Sequence, residues 1–232
     1  MEKRIVDREK YEMLEVNIVN GMPWPRLPTS ISETVDVPLK EEYKLRSMDY
    51  LDTPQARPIF EKQADIIIEN NIKGIVDVGC RIGVINDILQ ERGYTDYQYM
   101  GFDTSPQPIA YAQEVWSNFD NIDYRYASMY NKNAIEVHFN VDCVIWSGVL
   151  LYNPENHLEL FDDLTVNFYN SKHAIIQEPC KEQDPNKFLS NMKLNTIEQD
   201  LYKYKERYSN YKDWVIDADI FSGRRRVAHI CI

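Results

Sequence analysis

From residue 58 onward the spacing of apolar positions changes period again and again along the chain. Between Pro58 and Asn71, Ile59, Phe60, Gln63/Ala64 and Ile67 follow helical spacing and predict an amphipathic helix. Ile75-Val76-Asp77-Val78 is then nearly continuous in apolar residues, as expected of a parallel strand buried on both faces, and Val84 to Arg92 predicts a helix stopped by Gly93. Tyr97 to Phe102 predicts a second strand. Thr104 or Ser105 with Pro106 supplies an N-cap and a preset first turn for a helix whose inward positions are Ile109, Ala112 and Trp116.

The alternation continues through Ile122 to Ala127 as a third strand and Val141 to Trp146 as a fourth. Asn153-Pro154 repeats the cap-then-proline arrangement before Leu158, Phe161, Leu164 and Phe168, and Ala174 to Gln177 predicts a fifth strand. A helix with Ile197, Leu201, Tyr204 and Tyr208 on one face follows. Two closing strands, Trp214 to Ala218 and Arg226 to Ile230, flank Ser222-Gly223 and predict an antiparallel pair. Strands alternating with helices imply an α/β domain over 58–232, a parallel sheet with helices on both faces. Ligands of such sheets bind outside the carboxyl ends of the strands, which here means the ends of the first, second and fourth.

Residues 1–57 have a different texture. Pro23, Pro25, Pro28, Pro38 and Pro54 break any long regular element, with Trp24, Tyr43 and Tyr50 interspersed, so this stretch is expected to be an N-terminal arm. It is a lid over the strand ends, a dimerisation arm or a tail. Tyr43, Arg46, Tyr50 and Arg57 are the arm residues nearest the core in sequence and candidates to reach a ligand carboxylate.

Composition narrows the partners. A net charge of −11 argues against binding a phosphate backbone, so no nucleic-acid partner is expected, and the one dense cationic run, Arg224-Arg225-Arg226, reads as a solvated hairpin edge. No apolar stretch is long enough to cross a bilayer, and the N-terminal MEKRIVDREK lacks the apolar core of a secretory signal, so a cytoplasmic location is expected. Cys80, Cys143, Cys180 and Cys231 form no C-x-x-C pair and read as reduced, mostly buried thiols. No cluster of acidic or histidine residues has metal-site spacing, so no metal is expected.

Chemistry concentrates after the first two strands. In Val76-Asp77-Val78-Gly79-Cys80-Arg81-Ile82-Gly83 a strand must turn sharply into a helix, which residues without Cβ permit; a tight turn without a ligand is the plainer alternative. Gly101-Phe102-Asp103-Thr104 places an acid at the end of the next strand, about twenty residues on, where a carboxylate can accept from both hydroxyls of a ribose or simply cap a helix. The pair of motifs resembles the glycine-rich first motif and following acidic residue of class I S-adenosylmethionine-dependent methyltransferases, with Arg81 in place of the middle glycine. The likeness runs over about residues 58 to 180.

That resemblance implies a Rossmann-like, doubly wound, mostly parallel seven-stranded sheet with an antiparallel C-terminal strand. It implies S-adenosyl-L-methionine as cofactor, held by Asp77, Gly79, Cys80, Arg81, Gly83, Asp103, Thr104, Ser128, Met129 and Trp146. Ser128 stands where the family usually has an acid facing the adenine amino group. Met129 packs on the adenine ring or belongs to the core, and Trp146 lies in the segment that runs beneath the cofactor. A nicotinamide cofactor fits less well, because the second and third glycines of G-x-G-x-x-G fall on Arg81 and Val84.

Methyl transfer from a sulfonium is an in-line displacement in which alignment contributes most, and a base is needed only for a nucleophile protonated at working pH. Candidates near the strand ends are Tyr152, His157 and Glu178. His157, in the first turn of its helix, is a base or a surface histidine; Glu178 orients substrate or caps the strand exit. Two functions are open: a methyltransferase acting on oxygen or nitrogen of a small-molecule acceptor, or a methyltransferase-like binding or regulatory module that has lost turnover.

Overall fold

A computed structural model of the chain describes residues 57–104, 106–150, 156–179, 198–217 and 224–232. The expected arm, apart from Arg57, lies outside the described residues, as do Ser105, Tyr152, Cys180 and Ser222-Gly223. The elements are α1 (Arg57–Glu69), β1 (Gly74–Val78), α2 (Val84–Glu91), β2 (Gln98–Asp103), α3 (Pro106–Val115), β3 (Ile122–Tyr126), β4 (Cys143–Ser147), α4 (His157–Phe161), β5 (His173–Pro179), α5 (Glu198–Arg207), β6 (Asn210–Asp217) and β7 (Arg224–Cys231). A 3₁₀ turn, Lys132–Ala134, precedes β4, and α4 runs on as a π-helical stretch over Asp162–Phe168.

The seven strands form one sheet in the order β3-β2-β1-β4-β5-β7-β6. Neighbours from β3 to β5 are parallel, and β7 inserts antiparallel between β5 and β6. This is the doubly wound, mostly parallel α/β sheet that the alternating sequence implies, with the order reversing between β1 and β4. All five residues of β1 are buried, which accounts for its lack of polar alternation.

Successive side chains of each strand enter opposite layers. Ile75, Cys143, Ile145 and Ile175 join Ile59, Ile66 and Ile67 of α1, Ile85, Ile88 and Leu89 of α2, and Ile109 and Ala112 of α3. Val76, Val78, Val144, Trp146 and Ile176 face the other way, toward Phe161 and Leu164 of the α4 segment and Leu201 and Tyr204 of α5. Each fully buried Ile, Val or Leu stabilises the fold by about 1.5–3 kcal/mol relative to exposure, so both layers hold the sheet. The helices stop where the backbone turns left-handed: Gly93 (φ 73) ends α2, with Tyr94 N–H donating to the Leu89 carbonyl at 2.9 Å, and Asn71 (φ 50) does the same after α1.

Two expectations are corrected here. Arg224-Arg225-Arg226 is not a solvated hairpin edge, because β7 is an interior strand: Arg225 is buried, and Arg226 is hydrogen-bonded to Asp213 across the β6–β7 pair. Arg57 does not approach the strand ends either; it is paired with Glu61 one turn on and with Glu91 at the far end of α2. No helix among the described residues is long and apolar enough to cross a membrane.

Candidate functional site

The exit of β1 is a tight turn in which Gly79 (φ 73), Arg81 (φ 50) and Gly83 (φ 72) are all left-handed. Arg81 keeps the backbone that a glycine would adopt at that place, at a cost of about 1–2 kcal/mol for its Cβ. The turn is held from the neighbouring strand. The amides of Gly79 and Cys80 donate to the Phe102 carbonyl at 2.9 and 3.2 Å, and the Arg81 amide donates to Asp103 Oδ2 at 3.1 Å. Asp103, at the end of β2, thus fixes the loop that precedes α2.

The glycines are required by packing. A Cβ on Gly83 would lie 1.7 Å from the Tyr124 hydroxyl, which accepts a hydrogen bond from Asn86 Nδ2 at 2.7 Å, and a Cβ on Gly79 would lie 2.3 Å from Val149 Cγ2. Gly101, in the middle of β2, leaves room for Cys80, whose Sγ would be 2.7 Å from an added Cβ. Burial, with Asp77 and Asp103 nearby, pushes the Cys80 thiol up, so it is a packing group and not a thiolate nucleophile.

Asp77 is the most perturbed group here. Tyr99 donates to its Oδ2 at 2.9 Å, while Oδ1 is buried and has no partner among the described residues. Burial raises its pKa to about 7; the Tyr99 bond opposes that shift and the charge of Asp103 adds to it. A buried acid whose charged form is disfavoured and whose Oδ1 is unmet suits a ligand bearing a hydrogen-bond donor or a positive charge.

The exits of β4 and β5 are tied together. Gly148 N–H donates to the Gln177 carbonyl at 2.8 Å, Leu150 N–H donates to Glu178 Oε1 at 2.9 Å, and Gln63 of α1 donates to Ser147 Oγ at 2.9 Å. Gly148 (φ 67) faces open space, with nothing within 4 Å of where a Cβ would sit. Beside it, Gln177 is buried and its Nε2 has no partner among the described residues. Beyond β3, Ser128 Oγ accepts from Tyr130 N–H at 3.3 Å, Met129 packs partly buried against the Val76 layer, and Thr104 is partly buried at the end of β2.

The fold therefore brings together Asp77, Gly79, Cys80, Arg81, Gly83, Asp103 and Thr104 at one pair of strand ends and Gly148, Gln177 and Glu178 at the next. Two candidates are placed elsewhere. Trp146 is fully buried in the α4/α5 layer, its indole N–H donating to Thr165 Oγ1 at 3.0 Å in the π-helical stretch. His157 is 2% exposed, with Nδ1 3.0 Å from the Tyr204 hydroxyl, so it joins α4 to α5 as neither a surface histidine nor a group open at the strand ends. Tyr152 lies outside the described residues. The sequence places Gly148 and Gln177 in the segments after the fourth and fifth strands without giving either a role, and gives none to the tyrosines Tyr126 and Tyr130, which are half exposed at and just past the end of β3; aromatic residues at a strand exit were the available signal for the two tyrosines.

No protein-family model matches the sequence, and no curated protein does so either. Solved structures do match in fold. The methyltransferase domain of bacterial CtHen1 aligns with a TM-score of 0.58 at 17% identity, over 77% of this chain and 98% of that one. The N-methyltransferase NodS from Bradyrhizobium japonicum WM9, in complex with S-adenosyl-L-homocysteine, aligns with a TM-score of 0.58 at 13% identity, over 78% of this chain and 89% of its own. The plantazolicin methyltransferase BpumL, in complex with a pentazolic desmethylPZN analog and S-adenosyl-L-homocysteine, gives 0.55 at 14% identity, over 82% and 91%. The chain has the fold of these methyltransferases.

Proposed function

We propose that the chain is an S-adenosylmethionine-dependent methyltransferase acting on oxygen or nitrogen of a small-molecule acceptor. The observation that carries this reading is the left-handed turn Gly79–Gly83 clasped by Asp103 from the next strand, with the unmet Oδ1 of Asp77 beside it. The residues fit the cofactor: Asp77 offers a buried acceptor to a cationic or donor group, and Asp103, which fixes the turn through the Arg81 amide, is an acceptor-only carboxylate with about four lone-pair sites. Thr104, Ser128 and Met129 would border the adenine end, while Gly79, Cys80 and Gly83 shape the turn beneath it. Bound S-adenosylmethionine would supply the electrophilic methyl group for in-line displacement.

The chain's own residues would then work mainly by positioning. Glu178 holds the loop after β4 through Leu150 N–H, and Gln63 holds Ser147, so both set the wall against which an acceptor would lie. His157 and Trp146 support that wall from the α4/α5 layer. The net charge of −11 favours a small acceptor over nucleic acid.

Mass spectrometry of small molecules released from the purified full chain tests the cofactor assignment. Carried-over S-adenosylmethionine or S-adenosylhomocysteine is the expected result, and a nicotinamide dinucleotide in its place would refute it. The alternative of a binding module without turnover draws on one observation: His157 and Glu178 both make internal hydrogen bonds. Methyl transfer to any small oxygen or nitrogen nucleophile would exclude that alternative.

A further inference from the structure

At the opposite pole of the sheet, away from the strand exits, three metal-ligating side chains converge that the proposed activity does not use. His173 opens β5, and His229 and Cys231 lie two residues apart on β7, so they share a face; His173 is in register with Cys231. His173 Nδ1 is 3.1 Å from His229 Nε2, which is in turn 3.8 Å from Cys231 Sγ, and all three ligand atoms lie within 4.8 Å of one another. A tetrahedral zinc ion with Zn–N of about 2.0–2.1 Å and Zn–S of about 2.3 Å would set the corresponding edges at about 3.3 and 3.6 Å. Those two separations lie within a few tenths of an ångström of that geometry; the third, between His173 and Cys231, is within 4.8 Å and has to close toward about 3.6 Å when the ion binds. An imidazole–imidazole hydrogen bond and a weak thiol hydrogen bond would account for the two contacts one at a time, whereas an ion would use all three groups at once.

We propose that His173, His229 and Cys231 form a zinc site that clamps the interior antiparallel strand β7 to β5. Two nitrogens and one sulfur are the borderline-soft donor set that zinc takes, and three protein ligands leave a fourth position for water. On binding, Cys231 releases its thiol proton to solvent while the two imidazoles bind through neutral nitrogens. His229 is buried, whereas His173 and Cys231 are partly exposed, which gives the ion a route in. The site is about 13 Å along β5 from Gln177, four residues at strand rise, so it does not touch the strand-exit chemistry.

Cobalt(II) titrated into the chelator-stripped full chain provides the test, with Zn²⁺ thermal shifts alongside. One Co²⁺ per chain, with tetrahedral d–d bands and a thiolate-to-cobalt charge-transfer band, is expected. Cys231→Ser should abolish the charge-transfer band and His173→Gln should weaken uptake by more than roughly a hundredfold, above what losing an outer-shell partner costs. Zn²⁺ should raise the melting temperature of the parent chain and of neither variant. The proposal fails if the stripped protein takes up no cobalt, or if the charge-transfer band survives Cys231→Ser, since another thiol would then be the ligand. Far-UV circular dichroism identifies a misfolded variant, and in that case the partly exposed His173→Gln decides the matter.

Discussion

The two poles of the sheet use the same rare backbone conformation for different ends. At the strand-entry pole, left-handed residues are stop signals for helices: Asn71 after α1, Gly93 after α2 and Asn170 after the π-helical stretch that follows α4. There a single residue breaks the helix and lets the next amides satisfy its last carbonyls, as with Ser171 N–H on the Thr165 carbonyl at 2.9 Å. At the strand-exit pole Gly79, Arg81, Gly83 and Gly148 are left-handed with no helix to end; they sit at the exits that also carry Asp77 and Gln177, whose buried Oδ1 and Nε2 have no partner among the described residues. Strain that terminates a helix is explained by the helix. Of the four exit residues only Arg81 carries a Cβ into this region, and that strain, with no helix to explain it and unmet polar atoms beside it, points to a ligand.

The comparison breaks most readily at Gly83. Gly83→Ala places a Cβ against the Tyr124 ring in a left-handed position, so urea denaturation should show a loss of about 2–5 kcal/mol, the sum of overpacking and of the left-handed penalty. A near-neutral result would mean that the turn relaxes freely and is not built to shape.

A second test uses the buried acid. Because the Asp77 pKa is raised from 3.8 to about 7 in the folded chain, its contribution to stability is fully present below pH 3.8 and is lost as pH rises through about 7. Stability measured from pH 4 to 8 should therefore decline by roughly a few kcal/mol on account of this group, and Asp77→Asn should remove that decline. A cationic ligand at the site should also flatten it.

The smallest effect sharpens the contrast between poles. Gly93→Ala and Gly148→Ala both place a Cβ in open space at positive φ, so each should cost about 1–2 kcal/mol of stability. Only Gly148→Ala should change cofactor or acceptor binding, as read by calorimetric titration. Equal, unchanged binding in both would remove the β4 exit from the site.

Much of the fold was legible because buried parallel strands leave continuous apolar runs and their helices leave 3.6-residue periods; Ile75–Val78 and the Gly93 stop are instances. Spacing does not say which layer a strand residue enters. Trp146 was misassigned for that reason, since alternation along β4 sends it with Val144 into the α4/α5 layer and Ile145 to the other. His157 was invisible as a core residue because its partner, Tyr204, is 47 positions away in sequence. The arginine run misled because charge suggests an edge, whereas strand order makes β7 interior. His173 with His229 and Cys231 could not be seen as a cluster at all, since only the β5–β7 register joins them.

The central claim is that the Asp77–Asp103 pole binds S-adenosylmethionine, and calorimetric titration of the full chain with S-adenosylhomocysteine tests it most directly. Saturable one-to-one binding is predicted, weakened in Asp103→Ala by about 1.5–3 kcal/mol, the range for hydrogen bonds to a charged group. Absence of binding to the folded parent chain, or an affinity that Asp103→Ala leaves unchanged, would contradict the account.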